Sequence, residues 1–276
     1  MTDTRLSFVV FGCITKEKYL QELNSTRRTW AAVARERGHR VYYIFGEQRL
    51  SSEQELENRI NSAHLETGEE FVYLPGVGDD LASATPKQNL GLAHAFDIES
   101  IDTQYFVVCG TDTYIHIPQL VELLATLPAT KLYLGGDGHK IDFPDGSSVD
   151  FVSGGPPLVF SRDVVETLRP GLPALENKWH NFCNGCRRRN RGFPCLKVCS
   201  DVALAYCLKQ DFGIHPVSFT DRFKHERPRD YDIDPRTVIA YHHLYDEDFV
   251  FLHNLHSNSF TSLPARDPQN LANDEQ

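Results

Sequence analysis

No stretch of this chain approaches the roughly 18 consecutive apolar residues of a membrane-spanning helix. The apolar run after Met1-Thr2-Asp3-Thr4-Arg5 is too short for a secretory signal. The chain is therefore expected to be soluble, either cytoplasmic or a lumenal or secreted domain trimmed of an anchor. Excess positive charge is missing as well. The formal net charge is −10, which argues against a nucleic-acid partner, since a long phosphate backbone is bound through many Lys and Arg. Arg187-Arg188-Arg189 with Arg191 is the local exception. An even set of cysteines is also lacking. With seven cysteines one must stay unpaired, which argues against a fully paired secreted framework.

The cysteines that are present fall into two kinds. Cys13 and Cys109 end apolar, strand-like runs and read as small core residues. The others cluster as Cys183-Asn184-Gly185-Cys186, then Cys195, Cys199 and Cys207. Cys183, Cys186, Cys195 and Cys199 form two close pairs. Short spacings of this kind suit a tetrahedral structural zinc, disulfides in an oxidising compartment, or free thiols, and the spacing alone leaves all three open.

At 276 residues and 41% hydrophobic content, the chain can bury a full core in one large domain or two small ones. Strand-like and helix-like segments alternate along it. Ser7–Phe11 reads as a buried strand, and Lys16 to Arg37 as one helix closed near Gly38. Arg40–Phe45 is a second strand. Ser52 with Glu55 offers a capping box for a helix reaching Ala63. Phe71–Leu74 is a third strand, and Thr85-Pro86 opens another helix. Then come a strand over Tyr105–Cys109, a helix from Pro118 and a strand over Lys131–Leu134. This rhythm predicts an α/β fold, with a mostly parallel central sheet and helices on both faces.

After Gly135 the pattern changes. Asp137 to Ser153 is turn-rich, as in a flap or hairpin. Gly154-Gly155 leads into the strand Leu158-Val159-Phe160 and a helix capped by Ser161. The two glycines serve either a tight turn or a close approach of backbone to a ligand. Lys178 to Cys199 reads as an inserted loop. Ser200 then caps a helix, and a strand over Thr237–Tyr241 ends at His242-His243. The last dozen residues read as a disordered tail.

Three groups stand at element ends: Asp112, Asp201 and His242. Asp112 follows a β-rich run and precedes a helix, which places it at the carboxyl end of a sheet strand, where the ligand crevice of an open α/β sheet lies. Asp201 opens its helix, where a carboxylate either complements the helix dipole or acts as a base. His242 and His243 are adjacent, so on a strand only one of them would face a given site. A metal on Asp112 and His242 needs further oxygen ligands, which a diphosphate supplies, and Mg²⁺ and Mn²⁺ favour that mixture.

Six segments, in order from about Leu6 to Leu255, resemble the Fringe-like β-1,3-glycosyltransferases (glycosyltransferase family 31), which include the core 1 galactosyltransferases. Thr29-Trp30 is similar to that family's early Thr-Trp. Asp79 through Lys87 is similar to a segment ending in lysine before the central helix. Gly110-Thr111-Asp112-Thr113-Tyr114-Ile115 lies over the Asp-Asp-Asp-Thr-Tyr-Val motif. Gly154-Gly155 with Leu158-Val159-Phe160-Ser161 resembles Gly-Gly-Ala-Gly-Tyr-Val-Leu-Ser. Ser200-Asp201-Val202-Ala203-Leu204 resembles Glu-Asp-Val-Ala-Leu, and Tyr241-His242 resembles the late Phe-His.

The resemblance implies a single GT-A-type domain over residues 1–265, interrupted by the Cys/Arg-rich insertion at about 178–199 and followed by a tail over 266–276. It further implies an inverting hexosyltransferase that uses a UDP-sugar donor, a glycan or glycoprotein acceptor, and Mn²⁺ (or Mg²⁺). Asp112 and His242 would hold the metal and Asp201 would be the base. Thr29, Asp79, Lys87 and Thr111 would lie on the donor, and Gly154 and Gly155 on the acceptor. Gly110 and Thr111 replace two carboxylates of the family motif, Ser200 replaces a Glu, and Pro156-Pro157 replaces Ala-Gly. The altered acidic motif motivates a second expectation, a nucleotide-sugar or glycan-binding protein without efficient transfer. The cysteine segment motivates a third, a zinc-bearing interaction module.

Overall fold

Alternate residues of a strand face opposite sides of the sheet, and in this chain both sides are apolar. The strands concerned are β1 (Arg5–Phe11), β2 (Arg40–Glu47), β3 (Glu69–Gly78) and β4 (Thr103–Gly110). Phe8, Val10, Tyr43, Phe45 and Val107 enter one buried cluster, while Val9, Tyr42, Ile44, Phe106 and Val108 enter another. Near-continuous hydrophobic runs of this kind belong to parallel sheets covered on both faces. The structure, a computed structural model, describes residues 4–13, 17–47, 67–228 and 234–257.

The sheet is completed by β6 (Tyr133–Gly135), β9 (Leu158–Ser161) and β10 (Val217–Ser218). Its seven strands run in the order β10-β6-β9-β4-β1-β2-β3. Only β9 is antiparallel to its neighbours. One face is covered by α1 (Glu17–Arg28), α2 (Trp30–Glu36), α4 (Ile117–Ala125) and α8 (Asp246–Ser257). The other carries α3 (Ala84–Ile98), α5 (Arg162–Leu168), α6 (Leu172–Arg189) and α7 (Ser200–Phe212). The fold is therefore mixed α/β with a mostly parallel central sheet, as the alternation of segments predicts. From β1 the chain proceeds outward to β2 and β3, then returns to β4 on the far side of β1. That reversal opens a crevice at the carboxyl ends of β1 and β4.

Two smaller sheets sit beside it. The turn-rich segment after Gly135 is a hairpin of β7 (Gly138–Asp142) and β8 (Ser148–Val152). The other joins three two-residue strands, β5 (Tyr114–Ile115), β11 (Phe223–Lys224) and β12 (Ala240–Tyr241), in the order β11-β12-β5.

Several boundaries differ from the sequence expectations. The first helix is two, because Thr29 leaves helical geometry at φ −113°, ψ −109°. Its hydroxyl donates to the Ser25 carbonyl at 2.6 Å, and the break turns Trp30 into the core. The third helix begins at Ala84, one residue before Thr85-Pro86. The late strand over Thr237–Tyr241 shrinks to Ala240–Tyr241 behind a 3-10 turn at Pro235–Thr237. Lys16, the helix over Ser52–Ala63 and the tail at 266–276 lie outside the described residues.

The insertion expected at 178–199 is helical over its first half. Leu172, Leu175, Trp179, Cys183 and Cys186 recur at three- and four-residue intervals and form the buried stripe of α6. Burial, then the neighbouring Cys186, pushes the Cys183 thiol up to about 12. Arg187, Arg188 and Arg189 occupy the last turn of α6, where positive charge complements the helix dipole. All seven cysteines are free thiols, with Cys195 exposed and Cys199 partly so. Among the described residues the cysteines do not converge into a cluster of three or more metal-ligating atoms.

One buried charge cluster ties the first helices to the sheet. Glu69 at the start of β3 accepts from Arg27 Nη2 at 2.7 Å, from Arg35 and from the Tyr43 hydroxyl, and its side chain is fully shielded. Removing one partner of such a group leaves buried, unpaired charge. Glu69→Ala is accordingly expected to destabilise the protein by about 3–5 kcal/mol, read from chemical denaturation. Loss of under about 1 kcal/mol would place the pair in the surface class.

Candidate functional site

The crevice at the carboxyl ends of β1 and β4 is a cleft of about 450 Å³, a volume suited to a small-molecule ligand. Its walls include Gly12 and Cys13 after β1, Gly110 to Asp112 after β4, Ser153 to Gly155, Ser200-Asp201, and His225, His242 and His243. Asp112, Asp201 and His242 thus come to one cavity from widely separated parts of the chain.

The small sheet explains how Asp112 meets the histidines. Antiparallel pairing of Tyr114 with Tyr241 sets the residues before β5 beside those after β12, and the parallel β11–β12 pairing brings in His225. His242 Nε2 lies 3.2 Å from Asp112 Oδ2, and His243 Nδ1 lies 3.8 Å from the same oxygen. The Leu244 amide also donates to the Asp112 carbonyl at 3.1 Å. Both adjacent histidines face the carboxylate, contrary to the strand alternation expected for them. The strand ends at Tyr241, and His243 adopts a left-handed φ of 59° that swings its ring back.

The turn itself is held from several sides. Trp30 Nε1 donates to the Thr113 carbonyl at 2.8 Å, Thr26 Oγ1 to the Thr111 carbonyl at 2.9 Å, and Thr113 Oγ1 to the Gly155 carbonyl at 3.2 Å. Burial acts to raise the Asp112 carboxyl. The hydrogen bond and charge of His242, joined by His243, outweigh burial and hold Asp112 below the usual carboxylate range. Burial, then the charge of His242, pushes His243 below the ordinary histidine value against the pull of Asp112. An ionised Asp112 carboxylate and a His243 imidazole biased toward its neutral form are the protonation states in which such groups ligate a metal.

Asp201 is the second residue of α7, with Cys199 rather than Ser200 at the cap position. Its Oδ2 accepts the Gly154 amide at 3.0 Å and its Oδ1 accepts the Val202 amide at 2.8 Å. The two glycines serve close approach and not a positive-φ turn, as neither has a left-handed φ. A Cβ on Gly154 would sit 2.9 Å from Asp201 Cβ, and one on Gly155 would sit 2.5 Å from His242 Nδ1 and 2.7 Å from His225 Nδ1.

The expected donor residues divide. Thr111 and Lys87 line the cleft. Lys87 Nζ donates to the Gly12 carbonyl at 2.7 Å and lies 3.8 Å from Asp79, both side chains being almost fully buried. Asp79 stands behind Lys87, and Asp80 and Leu81 form that part of the wall. Thr29 does not line the cleft; it is buried at the α1–α2 break, one residue from the tryptophan that pins the turn. Cys199 reaches the cleft wall, whereas Cys183 and Cys186 lie in the core.

Among the cleft residues outside the sequence candidates are His225, His243 and Glu22. His225 follows a two-residue strand that has no readable period, and His243 depends on one unusual backbone angle. Glu22 lies on α1 and reads in sequence as a surface charge, yet it is buried, lines the cleft and accepts from Thr111 Oγ1 at 3.3 Å. Burial, then the negative charge of Asp112, raises its carboxyl to about 7.

These features define a mixed α/β protein with a histidine- and carboxylate-lined cleft at the sheet's switch point. No family model matches the chain. It is 28% identical over 203 residues to human (Homo sapiens) chondroitin sulfate synthase 3, with 68% of this chain aligned. It is 26% identical over 208 residues to the mouse (Mus musculus) protein of the same name. The chain spans 21% of the length of each of these curated relatives. Among solved structures it is similar to a glycosyltransferase involved in glycosylation of the major capsid of PBCV-1. That similarity has a TM-score of 0.44 and 12% identity, over 90% of this chain and 98% of the other.

Two outcomes test this geometry. Gly155→Ala is expected to displace His225 and His242, shifting their imidazole NMR resonances while leaving the far-ultraviolet circular dichroism unchanged; unaltered resonances would mean that the contact is not constraining. For Glu22 the folded-state value of about 7 exceeds an unfolded value of about 4.3. Its contribution to the stability of the metal-free protein is thus present below about pH 4.3 and lost as pH rises through about 7. Glu22→Gln is expected to flatten that part of the stability–pH curve; identical curves for the two proteins would refute the assignment.

Proposed function

We propose that this chain is an inverting glycosyltransferase that moves a hexose from a UDP-sugar to a hydroxyl of a glycan or glycoconjugate, with a β-1,3 linkage. The observation that carries this reading is the meeting, in one cleft, of the Asp112–histidine cluster with an Asp201 carboxylate aimed by the Gly154 amide. The likeness to chondroitin sulfate synthases supports sugar transfer and a glycan acceptor. The order of motifs shared with Fringe-like enzymes supports inversion within a GT-A-type domain.

The residues present suit a divalent cation. Asp112 would supply an oxygen and His242 its Nε2, which already lie 3.2 Å apart. Asp112 and His242 would hold a divalent ion, Mn²⁺ or Mg²⁺ by the family resemblance, which when bound would supply charge neutralisation for the departing diphosphate. Lys87 places a buried positive charge on the same wall, and Thr111 adds a hydroxyl toward the donor side. Asp201 takes the proton from the acceptor hydroxyl. Its two backbone hydrogen bonds leave further lone pairs on both oxygens for that proton. The acceptor oxygen then forms its bond to the anomeric carbon as the bond to the diphosphate oxygen breaks, in one displacement that needs no covalent enzyme intermediate.

Thermal shift across UDP-sugars identifies the donor, because a ligand that binds only the folded chain raises its stability. Asp201→Asn is expected to lower transfer by about 10²–10⁴-fold while the donor-induced shift persists. Full turnover in Asp201→Asn would remove Asp201 as the base. A donor-induced shift without UDP release or product from the unaltered protein would favour a nucleotide-sugar-binding role.

A further inference from the structure

The Asp112 end of the cleft is richer in nitrogen than in oxygen. Gly110 and Thr111 bring no carboxylate to the turn, and Glu22 is engaged with the Thr111 hydroxyl. Three imidazoles stand at this end instead, two of them, His242 and His243, within 4 Å of the Asp112 carboxylate. His225, His242 and His243 each offer a ring nitrogen, and these atoms lie within 4.8 Å of one another; no other group of three or more metal-ligating side chains is this close among the described residues. Bonds of about 2.0–2.2 Å from one ion to imidazole nitrogen and carboxylate oxygen separate the ligand atoms by about 3–3.5 Å. The 3.2 Å between His242 Nε2 and Asp112 Oδ2 falls in that interval, and His243 Nδ1 at 3.8 Å needs a small rotation to join.

His225 has the surroundings of a ligand as well. Its Nδ1 lies 3.1 Å from the Ser153 hydroxyl, a contact that fixes the ring's orientation. An outer partner of this kind is usual for metal-bound imidazole. The Gly155 backbone packs against the same edges of His225 and His242, closing the cluster from below. None of this is needed by a site that relies on carboxylates and phosphate oxygens.

We infer that His225, His242, His243 and Asp112 together form a three-nitrogen, one-oxygen site built for Zn²⁺ in preference to Mg²⁺, with His225 and His243 as added ligands. Imidazole suits Zn²⁺ and its neighbours in the transition series, whereas Mg²⁺ takes oxygen in near-ideal octahedral geometry and dehydrates reluctantly. Zn²⁺ also expands to five ligands, which leaves a position for one oxygen of a bound diphosphate. This deepens the glycosyltransferase reading and rests on it for the ion's role in transfer, though not for binding of the ion.

The test is a titration of the metal-free protein with Zn²⁺, Co²⁺ and Mg²⁺, by calorimetry and by the visible absorption of bound Co²⁺. Zn²⁺ binds most divalent sites more tightly than earlier ions do, so the decisive readout is what each variant changes. His225→Ala and His243→Gly are each expected to weaken Zn²⁺ and Co²⁺ by about tenfold or more, the size of loss seen on removing even an outer partner of a ligand. Both are expected to alter the Co²⁺ spectrum, with Mg²⁺ affinity changed by less than about twofold on the same scale. His243 is half exposed and glycine accepts its left-handed φ, so that variant keeps the fold. A Cys195→Ser/Cys199→Ser protein titrated alongside separates this site from the thiols. Unchanged Zn²⁺ affinity and Co²⁺ spectrum in both histidine variants would overturn the inference, as would equal losses for Zn²⁺ and Mg²⁺. The UDP-sugar thermal shift reports the glycosyltransferase reading separately, so either can fail alone.

Discussion

The pairing of β5 with β12 is the contact on which the cleft depends. Two residues from each strand bring Asp112 and His242 together, and β11 joins through the same partner to deliver His225. Strands this short contribute little stability by themselves. They persist because Tyr114, Ile115, Phe223, Ala240 and Tyr241 are buried in the core cluster beneath α2 and α4. The Trp30 indole and the Thr26 hydroxyl hold the turn from the helix side. The carboxylate therefore inherits its position from a packed core, which limits how far it can drift as a ligand enters.

The sheet shows a division of labour between its faces and its edge. Its faces are apolar on both sides, and the alternation of Val9 against Val10, or Phe106 against Val107, fills two separate cores. The polar chemistry is confined to the carboxyl edge, where strands stop and backbone groups are free to aim side chains. Gly154 and Gly155 bring backbone into contact with Asp201 and the histidines at that edge, and a side chain at either position would intrude on them.

The central sheet was legible because strands buried on both faces leave long apolar runs that need no partner to be recognised. Asp112, Asp201 and His242 were legible as polar residues at the ends of such runs or of helices. The remainder depended on tertiary facts. Two-residue strands carry no period, so His225 had no frame. The direction of His243 follows from a single positive φ. Glu22 acquires its environment only when α1 lies across the crevice. The α6 stripe was present in the spacing of Leu172, Leu175, Trp179, Cys183 and Cys186, but the cysteines and the arginine run drew the segment toward a loop. Thr29 shows the reverse case: a residue expected on the donor serves at a helix break that places Trp30.

The cleft is assembled from Gly12, Asp112, Asp201 and His242, which span most of the chain. Bringing such distant segments together incurs loop-closure entropy before contacts reward it. On the ribosome the first strands and helices can begin to pack while the histidines of the final third are still unsynthesised. A nascent chain consequently holds the walls of the cleft in separated pieces, and the cleft cannot close before β12 has been made.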